Sequence, residues 1–264
     1  MRTNLALIAV ILFFVLGCSR FNFTEMANKA LDRANANRTV PPTTVEKDGY
    51  VASETGTEKE KPSAGKSNVQ GTVLFNEKPA AGVEVKLCQK FSSILGCREK
   101  QYTTKTDDAG EYLIKDVEPG DYEGLVVRVF NTPAYVFATK GSIISAAKYK
   151  MEPDKTFFAP ATNLFKSDIK TQSPKANAKV DSAAFEAKWE PYPDAAYYKV
   201  SFFAKEVKAR SPYINHKVED TSFKPDKAFT NGEWRMKIDA FNANDIKIAQ
   251  LKDDLKFTVT GGPN

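Results

Sequence analysis

The chain has 264 residues, 42% hydrophobic, 27% charged and 11% aromatic, with 14 glycines and 14 prolines. That composition suits a globular protein and excludes collagen-like or wholly disordered architectures. The net charge of +5 is spread thinly, with 8 basic against 7 acidic residues over 19–68, 14 against 13 over 69–172 and 15 against 13 over 173–264. No domain therefore carries the clustered Lys and Arg that DNA or RNA binding needs, and nucleic acid is not an expected partner. One His and three Cys exclude a His-rich or four-thiolate metal centre, and no metal or cofactor is expected.

The N-terminus reads as an export signal. Arg2 precedes an uninterrupted apolar stretch from Leu5 to Gly17. Spanning a bilayer takes about 20 residues, so this stretch fits the apolar region of a signal peptide over 1–17. An uncleaved anchor is the alternative. Val15-Leu16-Gly17-Cys18 closes the stretch and resembles the lipobox of bacterial lipoproteins, with Val15 where Leu is more typical. The resemblance implies that Cys18 is acylated and becomes the mature N-terminus, with the membrane as a partner through the acyl chains. Each buried CH₂ contributes about 0.8 kcal/mol, and several chains anchor stably. Ser19 stands where Asp would mark inner-membrane retention, which implies an outer-membrane or cell-surface location. The alternative is an ordinary secretory signal with Cys18 a bystander.

Residues 18–68 read as a lipidated N-terminus and flexible tether. Thr24 suits an N-cap, and Phe21, Phe23, Met26, Ala27, Ala30, Leu31 and Ala34 give weak helical periodicity to about Asn35. From Arg38 to Asn68 the chain is mostly Pro, Thr, Glu, Lys, Ser and Gly. So few apolar side chains leave little to bury, and disorder is expected. Fifty such residues would span about 40 Å root-mean-square.

From Val69 the pattern changes to short alternating strands punctuated by Gly, Pro and Asp, as in antiparallel sandwiches. Val69, Gly71, Val73 and Phe75 alternate, then Val83, Val85 and Leu87, then Tyr112 and Ile114, then Leu125, Val127 and Val129. Gly71 with Val73, Pro79, Gly82-Val83 with Val85, Thr104 with Thr106-Asp107, Gly110 with Tyr112, and Pro119-Gly120 with Tyr122 resemble the carboxypeptidase regulatory-like domain. That resemblance implies a transthyretin-like sandwich over 69–172 without catalytic residues. Its match weakens after about residue 133.

Within this domain lie Cys88 and Cys97. An exported protein meets an oxidising setting, which favours a disulfide. Two free thiols are the alternative. Between them, Phe91, Ile94 and Leu95 are apolar residues in a short loop, an unusual place for them. Closure by a disulfide would preorder them as a candidate binding loop. The alternative is that they fold back onto the domain edge. Asp107-Asp108-x-Gly110 reads as turn chemistry, with Asp bonding its own backbone and Gly supplying positive φ. The oxygen-ligand spacing of a calcium loop is absent.

Over 173–264, Phe185, Ala187 and Trp189 alternate with charged residues, as do Tyr198, Val200 and Phe202, and Trp234, Met236, Ile238 and Ala240. One face is expected to be buried and one wet. Trp189, Pro191, Pro193, the alanines at 195 and 196, then Tyr198-x-Val200 resemble a fibronectin type III domain, whose later strands are matched to about residue 260. That places Trp189 and Trp234 in the core rather than on a sugar-stacking platform. Tyr192, Tyr197 and Tyr213 are the candidates for an exposed glycan platform. His216 lies in a polar stretch and reads as a surface residue.

The expected fold is all-β, with two tandem antiparallel β-sandwiches after a lipoprotein signal peptide and a disordered tether. No Gly-x-Ser-x-Gly, phosphate loop or His-Glu-x-x-His occurs, so no enzyme is expected. The expected function is a lipid-anchored envelope protein that acts as a spacer, adhesion or protein-binding module, its partner an envelope or extracellular protein. A carbohydrate-binding surface lipoprotein is the alternative, and a hydrolase accessory protein ranks below it.

Overall fold

A computed structural model describes residues 45–46, 48–130, 132–140, 145–205 and 213–263. The signal peptide over 1–17, Cys18 and the short helix expected after Thr24 lie outside these residues. Among the described residues there is no helix, and the chain forms 21 strands in two β-sandwiches.

The first sandwich is built from β1 (Ser67–Phe75), β2 (Lys78–Pro79), β3 (Glu84–Ser92), β4 (Gly96–Lys105), β5 (Glu111–Val117), β6 (Gly120–Glu123), β7 (Leu125–Arg128), β8 (Tyr135–Phe137), β9 (Lys148–Met151), β10 (Lys155–Phe158) and β11 (Thr162–Leu164). β1 is the hub of one sheet. On one edge it pairs in parallel with β10 and then β11, and on the other antiparallel with β5 and β2. The facing sheet runs β4–β3–β7–β8, and β6 pairs with β9 alongside it. The alternating residues of the sequence line the interior: Val69, Val73, Val85 and Leu87 are fully buried, with Tyr112 and Ile114 close behind. Gly71 is required here because a Cβ would come 2.5 Å from the Tyr112 hydroxyl.

The second sandwich comprises β12 (Lys166–Ile169), β13 (Thr171–Ser173), β14 (Lys179–Asp181), β15 (Ala187–Trp189), β16 (Tyr197–Ala204), β17 (His216–Val218), β18 (Ser222–Phe223), β19 (Gly232–Phe241), β20 (Lys247–Leu251) and β21 (Leu255–Thr260). A three-stranded sheet, β13–β15–β18, faces a larger one in which β16 and β19 pair along eight residues. β19 meets β21 in its first half and β20 in its second. Trp189, Val200, Phe202, Trp234, Met236 and Ile238 are buried between the sheets. Each buried large side chain contributes about 1.5–3 kcal/mol, so this layer dominates the domain's stability.

Two expectations differ from the structure. The boundary placed between 172 and 173 lies earlier. β11 still pairs with β1, whereas β12, beginning at Lys166, pairs with β20 of the second sandwich. The disordered tether expected over 18–68 ends well before Asn68. Residues 51–66 form a strap along the wet outer face of the β1 sheet, anchored by buried Val51. Glu54 N donates to Phe158 O (2.9 Å), and the Gln70 amide accepts from Lys59 N (3.0 Å) and donates to Thr57 O (3.1 Å). Lys59 pairs with Asp107 (2.8 Å) and Glu111 (2.6 Å), Glu60 with Lys115, and Lys66 with Glu118 (2.5 Å). The low apolar content was read correctly, but polar pairing, rather than burial, orders the segment.

Candidate functional site

Three places combine unusual chemistry with defined geometry: the β3–β4 hairpin tip, a cleft beneath the strap, and the seam between the sandwiches.

The hairpin carries a register shift between Cys88 and Lys90. The extra residue lies on β4, where Glu99 has φ +61°, and Cys88 and Phe91 both join a cluster on the outer face of the sheet. There Cys88 bonds Cys97, with their Cα atoms 5.4 Å apart. Phe91 meets Phe137 edge-on at 4.8 Å. It also covers Gly124, where φ is +102° and a Cβ would come 2.8 Å from Phe91 Cβ. With Val126, Phe137 and Ala146 these residues form a small outer cluster. Of the candidate loop residues, Phe91 is therefore packed, whereas Ile94 and Leu95 remain 54% and 65% exposed. Ser92 Oγ accepts from the backbone N–H groups of Ile94 (3.2 Å) and Leu95 (3.4 Å), holding the tip in a tight turn. Lys90 and Arg98 are cross-strand partners immediately below it.

The glycan platform is corrected. Tyr197 is buried, stacks on Phe241 at 5.1 Å and donates to Asp245 (2.9 Å). Burial and that carboxylate push its hydroxyl up to about 12. Tyr213 is buried among Phe202, Phe223 and Phe229 and donates to Asp226. Tyr192 is partly buried, and burial together with Asp168 raises its pKa. Tyr213 belongs to the core, Tyr192 packs partly against it, and the Tyr197 ring is covered by Phe241, Lys199 and Lys217, so the three do not share an exposed face. His216 is exposed, its ring against Phe223 at 5.2 Å.

The cleft, of about 530 Å³, lies between residues 46–53 and strands β9 and β10. Glu46, Asp48, Asp121 and Glu152 line it with Lys150 and Lys155, over a floor of Val51 and Phe157. A hydrogen bond to Asp121 raises the Tyr50 hydroxyl. Among the described residues no three His, Cys, Asp or Glu side chains are grouped to hold a metal ion. At Asp107 the carboxylate accepts from Ala109 N (3.0 Å) and Glu111 N (2.9 Å), with Gly110 at φ +70°.

The seam was not anticipated. The turn at Asn76-Glu77, both at positive φ, reaches across to the β19–β20 turn. Asn242 Nδ2 donates to Asn76 Oδ1 (2.8 Å) and Glu77 Oε2 (2.9 Å), and Asn244 Nδ2 donates to both Glu77 oxygens (3.1 and 2.9 Å). Asn76 Nδ2 donates to Asp194 (2.9 Å). Beside this clasp, Lys247 lies over the Phe165 ring (4.3 Å) and pairs with Asp239 (2.6 Å), which also meets Lys237 (3.1 Å). One carboxylate thus faces two ammonium groups. Burial pushes Lys247 down to about 8, with Asp239 opposing and Lys237 adding to the fall. Burial alone would raise Asp239, but the two lysines hold it below the usual carboxylate range. Two asparagines in a β-turn were the sequence signal, and they read equally well as turn residues.

No family model and no curated protein matches the sequence. Solved structures similar to this chain include fibronectin(III)-like modules of Clostridium thermocellum CbhA, at 12% identity and TM-score 0.28, covering 75% of this chain and 91% of that one. A two-domain fibronectin type III segment of chicken tenascin has 13% identity and TM-score 0.25, covering 75% and 96%. A DUF3823 family protein from Bacteroides ovatus has 10% identity and TM-score 0.23, covering 73% and 99%. At these scores the likeness carries neither topology nor function over to this chain.

Proposed function

We propose that the protein is a non-enzymatic, lipid-anchored cell-envelope module that spaces or binds other proteins. In this reading the first sandwich is a carboxypeptidase regulatory-like domain and the second a fibronectin type III-like domain. Cys18 carries the acyl chains. The observation that supports it best is the seam. Five side-chain hydrogen bonds from one turn of the first sandwich to the second favour a fixed arrangement over free beads, as a spacer or a composite binding surface needs. The strap supports a further point. With residues 51–66 held on the sandwich, 26 residues lie between Cys18 and Val45, against 49 between Cys18 and Asn68. The first sandwich is then kept near the membrane and the second projects from it. Palmitate labelling of the wild type and of Cys18→Ala tests the anchor. Label in the wild type alone is expected, and an unlabelled wild type would sink the reading.

A further inference from the structure

We infer that the seam between the sandwiches is a proton-linked hinge: a charged Lys247 ammonium favours opening about Phe165, and loss of its proton favours closure. The joint is one residue long. β11 ends at Leu164 and pairs with β1, β12 begins at Lys166 and pairs with β20, and only Phe165 lies between them. Its ring belongs to the core of the first sandwich, with Leu164. Lys247, at the start of β20 in the second sandwich, lies over that ring at 4.3 Å. Part of the cover on the ammonium is therefore supplied across the seam. Hinging at Phe165 would carry the ring away and admit water.

The local charges set the direction. The Lys247 side chain is only 11% exposed, and it shares the Asp239 carboxylate (2.6 Å) with Lys237 (3.1 Å). Two ammonium groups against one carboxylate leave an uncompensated positive charge where water is scarce, which is costly. Among the described residues the other charged groups on the surrounding elements are engaged elsewhere. β11 carries none. Lys166 of β12 lies over Phe75 and Phe130 (4.9 and 5.6 Å), and Asp168 of β12 bonds Tyr192. Lys199 of β16 lies over Phe241 (4.5 Å), and Asp245 of the β19–β20 turn accepts from Tyr197. Glu77 of the β1–β2 turn is held by Asn242 and Asn244. A neutral Lys247 escapes the cost, and its amine still donates to Gln250 Oε1 (2.7 Å), whose amide donates to Ser167 of β12 (3.1 Å).

The sign follows from where the proton is held. In the closed seam burial brings Lys247 down to about 8, from an ordinary value of 10.5. Opening returns the ammonium to water while Asp239, on the same sandwich, stays beside it, so the open form binds the proton more tightly. Closure therefore releases a proton, and the closed population grows as pH rises through 8. The clasp of Asn76, Glu77, Asn242 and Asn244 sets the balance at lower pH. The inference rests on the fixed seam read from that clasp and is independent of the lipid anchor.

Spin labels at Asp108→Cys and Lys224→Cys, exposed positions on the first and second sandwich, report the interdomain distance distribution. The full chain also carries Cys18→Ser, and Cys88 and Cys97 are already bonded. Distances are followed from about pH 7 to 10 with Glu77 present and with Glu77→Ala, which weakens the clasp and populates the open form. With Glu77→Ala the open-to-closed ratio should fall as pH rises, approaching the limit of about tenfold per pH unit set by one linked proton. Adding Lys247→Met should keep the high-pH ratio at every pH. Adding Lys237→Met, which removes the charge that repels Lys247, should move the transition to higher pH. A ratio that does not change with pH in the Glu77→Ala chain overturns the inference, whether the seam is closed or open throughout. A distribution that is broad at every pH with Glu77 present overturns the fixed seam as well.

Discussion

Lys247 supplies the sharpest quantitative expectation. In the unfolded chain a lysine titrates near 10.5, whereas in the seam it titrates at about 8. That difference corresponds to about 3 kcal/mol of penalty on the charged form. The sign follows from proton counts. Below pH 8 Lys247 is protonated in both states and the full penalty is present. Between 8 and 10.5 the unfolded chain holds more protons, so stability rises with pH by about 3 kcal/mol from this group. Replacement by Met keeps the stem over Phe165 and removes the ammonium, while Asp239 retains Lys237. Urea unfolding at several pH values, followed by tryptophan fluorescence, reads the second sandwich, because Trp189 and Trp234 both lie there. Stability of wild type minus that of Lys247→Met should climb by about 3 kcal/mol between pH 7.5 and 10.5. Lys59 and Lys66, raised by hydrogen bonds to Asp107 and Glu118, act oppositely at higher pH, but equally in both proteins. A difference that stays flat with pH would show that Lys247 is hydrated rather than buried.

Three further expectations follow from the packing. Glu77→Ala removes the acceptor of three of the seam hydrogen bonds; small-angle scattering should show a broader spread of interdomain distances, while each domain's unfolding midpoint is unchanged. Gly110→Ala places a side chain at φ +70°, 2.5 Å from Val73 O, and should destabilise the first sandwich by about 2–4 kcal/mol. Its calorimetric transition should fall while the tryptophan transition stays put. Cys88→Ser opens a loop of about ten residues and should cost about 3 kcal/mol, read as a lowered urea midpoint of the first sandwich.

Both sandwiches were legible because their strands alternate with period two. Val69 and Val73, Val200 and Phe202, and Met236 and Ile238 all point inward as the sequence implied. The tyrosine platform failed for the same physical reason that the strands succeeded. Aromatics bury large apolar area while their hydroxyls find one partner at the edge, as Tyr213 does with Asp226 and Tyr197 with Asp245. Sequence position alone did not separate that role from surface stacking. The tip divided similarly: Phe91 packs on Phe137 while Leu95 stays exposed, and the partner ring lies 46 positions away, where no local pattern announces it. The seam was hidden because Asn76, Glu77, Asn242 and Asn244 are ordinary turn residues whose partners across the seam are 118 to 167 positions away.

The strap shows how a segment poor in apolar residues becomes ordered, and how it can be released. Its contacts are exposed ion pairs and single hydrogen bonds, each worth about 0–1 kcal/mol, laid in series from Glu54 to Lys66. The sandwich beneath is held by buried side chains worth several times more apiece. Tension on the N-terminal segment would therefore meet Val51 first and then peel the strap before it loads β1. Peeling 51–66 would lengthen the linker by about 50 Å, which protects the sandwich from forces transmitted along the chain. Salt separates the two layers without force. Raising ionic strength from 0.1 to 1 M shortens the screening length from about 10 to 3 Å, weakening the strap's ion pairs and leaving the core untouched. Amide exchange over 54–66 should then accelerate while β1, β3 and β5 hold their protection. Equal acceleration in both would mean that the strap and the sandwich open as one unit.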